Sequence, residues 1–102
     1  MKKIEKLLIC GGGMMGKGIA QIFSQKDDLE IIIYDKFAVD IYSGIRKNME
    51  QLLVKGIVSE SEIESRLSRI KFTQDLYNED IKNVDIVIEC VLEVMELKQD
   101  LF

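Results

Sequence analysis

Three glycines and one aspartate have the types and spacing from which chemistry can be read first. Gly11, Gly13 and Gly16 fall in the pattern G-x-G-x-x-G within Gly11-Gly12-Gly13-Met14-Met15-Gly16. In such a turn the first glycine permits a sharp exit from a strand and the second lets a pyrophosphate approach the backbone. The third lets the following helix pack closely on that strand. The free N–H groups of the helix start then favour an anion. Asp35 stands 19 residues after Gly16, near the roughly 20-residue interval at which a carboxylate accepts hydrogen bonds from an adenosine ribose. Its charge would repel a 2′-phosphate, so NAD is favoured over NADP, a discrimination that the adjacent Lys36 weakens. Three glycines alone also occur in surface loops, and a lone aspartate also suits a solvated strand end. The expectation that residues 11–16 and Asp35 bind a dinucleotide rests on the elements around them.

Those elements alternate. Lys6 to Cys10 is a short apolar run stopped by the glycines, as a buried strand entering a tight turn would be. From Met14 to about Lys26, Met15, Ile19, Ile22 and Phe23 recur at helical spacing. Glu30 to Asp35 contains three consecutive isoleucines, apolar on both faces, as in a parallel sheet covered by helices on both sides. Tyr42, Ile45, Met49, Leu52 and Leu53 trace one face of a long helix that Gly56 can end. Ser59 and Glu62 form a capping-box pattern, with Val58 and Ile63 placed as a hydrophobic staple, so a second helix should follow to about Ser68. Ile70 to Thr73 reads as a short edge strand and Val84 to Cys90 as a further strand, with a short helix between them and a last helix from near Val94. The order predicts an α/β fold: a Rossmann-type doubly wound parallel sheet with a helical pair between strands 2 and 3. One domain is expected over residues 1–102, with no internal repeat or linker.

Composition narrows the chemistry. The 102 residues carry a net charge of -4, which argues against a nucleic-acid surface. No apolar run approaches the roughly 20 residues of a membrane span, and a cytoplasmic location is the default. The two cysteines, Cys10 and Cys90, lack metal-ligand spacing, and no metal site is expected. Both sit at predicted strand ends beside the cofactor crevice, where a small packing residue is the simpler reading than a nucleophile. The chain contains no histidine, so the commonest general base is missing and no catalytic residue is assigned.

The sequence resembles the 3-hydroxyacyl-CoA dehydrogenases, including the bacterial 3-hydroxybutyryl-CoA dehydrogenases. Three stretches carry the likeness: Cys10-Gly-Gly-Gly-Met-Met-Gly-Lys-Gly-Ile-Ala-Gln-Ile-Phe23, Leu67-Ser-Arg-Ile-Lys-Phe-Thr73, and Ile88-Glu-Cys-Val-Leu-Glu-Val-Met-Glu-Leu-Lys-Gln-Asp-Leu-Phe102. The helical pair adds to it. The resemblance implies hydride transfer between NAD and C3 of an acyl-CoA. It implies that Glu93 and Lys98 lie beside the nicotinamide ribose, with Cys90 among the cofactor-lining positions, and that Lys47 and Lys55 contact coenzyme A. Read from their types alone, Glu93 and Lys98 equally suit the solvated first turn of a helix, and Lys47 and Lys55 ordinary surface lysines. Two departures stand out: Gln51 where related sequences often have a lysine, and Met14 in the turn where a threonine is common.

The family's proton-carrying histidine lies well downstream of the last matching motif. The resemblance therefore implies a truncated sheet, an N-terminal portion without the C-terminal helical domain, and a chain inactive alone. With no fifth strand beside it, Val84 to Cys90 would form an exposed edge inviting self-association. The alternative is a non-catalytic NAD-sensing regulatory module, which would explain the missing histidine but not the helical pair. Dehydrogenases acting on β-hydroxy acids or nucleotide sugars share the same N-terminal pattern.

Overall fold

The computed structural model describes residues 4–77 and 81–90. In chain order the elements are β1 (Lys6–Cys10), α1 (Met14–Phe23), β2 (Glu30–Tyr34), α2 (Ile41–Val54), α3 (Glu60–Ser68), β3 (Ile70–Thr73) and β4 (Ile86–Glu89). The strands form one parallel sheet in the order β3-β2-β1-β4. The chain thus winds outward from β1 through β2 to β3, then crosses back to β4 on the other side of β1. The connections after β1 and β2 are helical, as parallel neighbours require.

Leu7 and Ile9 on β1, Ile31 and Ile33 on β2 and Ile70 on β3 share a core with Ala20, Ile41, Ile45, Met49 and Ile63. All three helices contribute, so they cover one face of the sheet. Full burial of each such aliphatic side chain contributes about 1.5–3 kcal/mol before the entropy of ordering it is counted.

The face of α1 differs from its sequence pattern. Gly16 and Ala20 are its buried residues, whereas Met15, Ile22 and Phe23 are exposed. The helix lies so close to β1 that only small side chains fit beneath it. It also ends at Phe23 rather than near Lys26, because Ser24 caps it and the next N–H groups turn to nearer carbonyls, Gln25 to Ile22 and Lys26 to Phe23. From α3, Arg66 holds this end, donating from Nε to Ser24 Oγ at 2.9 Å and from Nη2 to the Gln21 carbonyl at 2.6 Å. Arg69 donates to the Ser24 carbonyl, so carbonyls left without partners at a helix C-terminus gain charged donors.

On α2 the buried stripe is Ile41, Ile45 and Met49. Tyr42, expected on that stripe, sits at its rim with its hydroxyl donating to the Ile70 carbonyl at 3.0 Å. Gly56 takes a φ of +74°, the left-handed conformation expected after the helix. Ser59 caps α3, its side chain accepting from Glu62 N–H at 3.2 Å, and Val58 and Ile63 are both buried in the core. The Ser59 hydroxyl in turn donates to the Glu62 carboxylate at 3.3 Å.

β2 stops one residue before the expected Asp35, and β4 occupies only the middle of the expected Val84–Cys90 run. Among the described residues β3 and β4 are the sheet edges, with Ile86 and Val87 exposed on β4. The short helix expected before β4 falls partly on residues outside the description, and the last helix wholly so. Ile81 alone has 3₁₀ geometry among the described residues there. No helix among the described residues is long and apolar enough to cross a membrane.

Candidate functional site

The glycine turn leaves the C-terminal end of β1, the central point from which the chain departs in one direction to β2 and β3 and in the other to β4. Ligands of open α/β sheets bind at this kind of topological switch point. Gly11 continues the sheet pairing, its N–H donating to the Tyr34 carbonyl at 2.7 Å, and then reverses the chain at φ +117°. A Cβ there would lie 2.5 Å from the Cys90 carbonyl oxygen, and one at Gly16 only 1.9 Å from the Gly11 carbonyl oxygen. Both glycines are therefore demanded by the protein's own backbone.

Gly13 is different. It is exposed, has φ -77°, and a Cβ on it would meet no atom within 4 Å. Nothing among the described residues requires glycine at that position, which is what a position kept bare for a ligand's approach looks like. Gly13 is also the N-cap of α1 and supplies no side-chain acceptor, whereas Asp40 caps α2 and Ser59 caps α3. The first intrahelical bond runs from Lys17 N–H to the Gly13 carbonyl at 3.0 Å. The N–H groups before it are free for an anion, and no acidic side chain occupies the first turn. Met14 and Met15 stand exposed beside the opening.

Asp35 lies just past β2 and turns its carboxylate onto this loop. Oδ2 accepts the Gly12 N–H at 2.8 Å and Oδ1 accepts the Phe37 N–H at 3.0 Å. The carboxylate is thus fixed beside the glycine turn, with lone pairs left for a ribose diol. Gly12 is buried, its missing side chain facing Asp35 Oδ2, Val39 and Ile41 at 3.4–3.5 Å. The exposed Phe37 follows, with the Lys36 ammonium 5.1 Å from its ring centroid. Spacing predicted the aspartate near the turn. The Gly12 tether, Phe37 and Val39 carry no pattern that sequence alone would single out.

Cys90 borders the turn, its N–H donating to the Cys10 carbonyl at 2.7 Å. Burial, then Glu89 and the neighbouring Cys90, push the Cys10 thiol above its ordinary 9.0, and burial pushes Cys90 up as well. Neither is an activated nucleophile, because thiolate is the reactive form. Lys47 on α2 and Lys55 at its C-cap are exposed and away from the turn. Glu93 and Lys98 lie outside the described residues. Among the described residues no group of three metal-ligating side chains comes together.

A parallel sheet with this strand order, a glycine turn at its switch point, an open helix N-terminus and an acidic residue after β2 define a dinucleotide-binding Rossmann-type domain. The chain belongs to the family described as "3-hydroxyacyl-CoA dehydrogenase, NAD binding domain", whose model matches residues 6–102. Its cofactor is NAD. It is 35% identical over 99% of its length to a peroxisomal fatty acid beta-oxidation multifunctional protein of Arabidopsis thaliana, of which it covers 14%. It is 34% identical over 95% of its length to a probable 3-hydroxybutyryl-CoA dehydrogenase of Deinococcus radiodurans, covering 34% of that protein. Among solved structures, (S)-3-hydroxybutyryl-CoA dehydrogenase from Ralstonia eutropha superposes with a TM-score of 0.81 at 29% identity, over 97% of this chain and 35% of that one. The chain thus spans from a seventh to about a third of these relatives.

Proposed function

We propose that residues 1–102 are the N-terminal, NAD-binding portion of an NAD-dependent 3-hydroxyacyl-CoA dehydrogenase, acting on 3-hydroxybutyryl-CoA in cytoplasmic butyrate or fatty acid metabolism. The observation that carries the cofactor site is the bare approach at Gly13, between two glycines that the backbone itself requires. In this proposal Gly11, Gly12, Gly13, Met14, Met15 and Gly16 surround the pyrophosphate, and Asp35 receives the adenosine ribose. Cys90 lines the crevice, while Glu93 and Lys98 lie toward the nicotinamide ribose. Lys47 and Lys55 face coenzyme A. The names of the Deinococcus and Ralstonia relatives support the short-chain substrate.

When bound, NAD supplies the hydride acceptor or donor. The chain's own residues bind and orient it. They supply no histidine to move the accompanying proton, and the two described thiols are held protonated at neutral pH. In this proposal the proton carrier lies outside these 102 residues. The exposed β4 edge is a surface for self-association, to be followed by light scattering.

Calorimetric titration of the 102-residue chain tests the cofactor proposal. NAD should bind more tightly than NADP, and Asp35→Ala should lose that preference. Equal affinity for the two dinucleotides overturns the role of Asp35, and no affinity for either overturns the site. NADH-dependent reduction of acetoacetyl-CoA by the chain alone would overturn the external proton carrier.

A further inference from the structure

We propose that the cavity between the C-terminal end of α1 and the turn joining α2 to α3 binds a small monocarboxylate with an apolar body, held by Arg66 and Arg69. The cavity measures about 360 Å³, within the roughly 300–1,000 Å³ that small-molecule sites occupy. Its lining has two unlike walls. Leu52, Ile57 and Val58 give an apolar one, and Ser65, Arg66 and Arg69 give a cationic one. This is the opposite end of the sheet from the glycine turn, since Arg69 precedes β3, whereas Gly11 follows β1 and Asp35 follows β2.

The cationic wall carries more charge than its neighbours balance. Arg66 is 8% exposed, yet among the described residues no carboxylate pairs with it. Its Nε and Nη2 serve Ser24 and Gln21, and its Nη1 has no partner there. Arg69 has a side chain 16% exposed, and its carboxylate neighbour Asp27, at 3.7 Å, is itself 97% exposed. Arg69 Nε is buried without a hydrogen bond. The carbonyls that these two residues serve end α1, where the helix dipole amounts to about half a negative charge. The two guanidiniums bring two positive charges, and neither sheds its proton. Burial, then the neighbouring Arg69, pull the Arg66 pKa down, and Glu62 opposes them. Buried charge is normally paired, so this end of the molecule attracts an anion.

The same lining selects which anion. A guanidinium matches the plane of a carboxylate. Ser65 Oγ accepts from Arg69 Nη1 at 3.0 Å and so keeps its own proton to donate. Glu62 and Asp27 also line the cavity, both exposed. Their charges disfavour a dianion such as phosphate and leave the two arginines suited to a single negative charge. Val58 is buried against the core and Ile57 is 63% exposed beside the Gly56 turn, so the opposite wall takes a hydrocarbon body. A short aliphatic carboxylate satisfies both walls, whereas a bare ion satisfies one.

The test titrates the isotope-labelled 102-residue chain with hexanoate, acetate, hexanamide and inorganic phosphate, followed by amide NMR shifts. Hexanoate should give saturable shifts at Ser65, Arg66 and Arg69 and bind at least about tenfold more tightly than acetate. Hexanamide and phosphate should give no saturable shift at those residues. Ser65→Ala should weaken hexanoate about tenfold. Arg66→Gln should abolish binding, but it also removes the bond to Ser24. Ile57→Asp therefore carries the test at an exposed position, setting a fixed carboxylate against the ligand's and abolishing binding. Melting curves and an unchanged NAD titration show that variant folded. Absence of saturable shifts with hexanoate overturns the proposal, as does unchanged hexanoate affinity in Ile57→Asp. Hexanamide binding as tightly as hexanoate overturns the role of the arginines, acetate binding as tightly overturns the apolar wall, and phosphate binding more tightly overturns the choice of a monoanion.

Discussion

Gly13→Ala and Gly16→Ala insert the same methyl group three residues apart and should fail in opposite ways. At Gly13 the methyl meets no protein atom within 4 Å, and φ is an ordinary -77°. Losing glycine at an N-cap costs a few tenths to about 1 kcal/mol, and the stiffer unfolded chain offsets about 0.4–1 kcal/mol. The melting temperature should therefore move by less than about 4 °C. NAD binding should suffer instead. A methyl forced into a close contact costs about 1–3 kcal/mol, a loss of roughly 5- to 150-fold in affinity. At Gly16 the methyl would stand 1.9 Å from the Gly11 carbonyl oxygen, where real contacts are not closer than 3.0 Å. The obstacle is backbone at a strand exit, so no rotamer relieves it and α1 must lift off β1. A cost of about 3 kcal/mol or more is expected, lowering the melting temperature by about 12 °C or more. Circular dichroism melts and NAD titrations of both variants are sufficient. A Gly13→Ala chain with wild-type NAD affinity, or a Gly16→Ala chain with wild-type stability, would refute the division of labour among the glycines.

Two further outcomes are expected. Because burial raises the Cys10 thiol above 9.0, its folded form retains the proton over a pH range where the unfolded thiol has lost it. Its contribution to stability is thus complete below the unfolded value and is lost as pH rises through the higher folded one. Alkylation of Cys10 at pH 8 should be slower in the folded chain than in the unfolded one, because less of the thiol is ionised, and an equal or faster reaction of the folded chain would contradict the cause assigned to the shift. Ser59→Ala removes the side chain that accepts the Glu62 N–H and should cost about 1 kcal/mol, read as a loss of roughly 4–8 °C in melting temperature. No change would mean that Val58 and Ile63 alone fix the start of α3.

Features governed by neighbouring residues were legible in the sequence. The glycine turn, the Ser59 cap, the left-handed Gly56 and the strand of three isoleucines each follow from local chemistry and stand where they were expected. The buried face of α1 was not legible, because apolar spacing favoured Met15, Ile22 and Phe23, whereas the distance between helix and strand selects Gly16 and Ala20. The end of α1 was also hidden, since it depends on Arg66 and Arg69 arriving from more than 40 residues away. In the site, spacing brought Asp35 to the turn and its bond from the Phe37 N–H is a local one, but nothing local foretold the bond from the Gly12 N–H.

That engagement bears on how the cofactor preference can be redesigned. Asp35 is at once the selective group toward the ribose and a strut holding the Gly12 N–H and the Phe37 N–H. Exchanging it for a small neutral residue to admit a 2′-phosphate would also free the Gly12 N–H, leaving the phosphate-cradling turn tied to β2 by the Gly11 N–H to the Tyr34 carbonyl. Selectivity and loop order are thus bound into one side chain, and a single substitution toward NADP trades one against the other. A route that preserves affinity must first provide the Gly12 N–H with another acceptor, so any such change would have to proceed by paired substitutions.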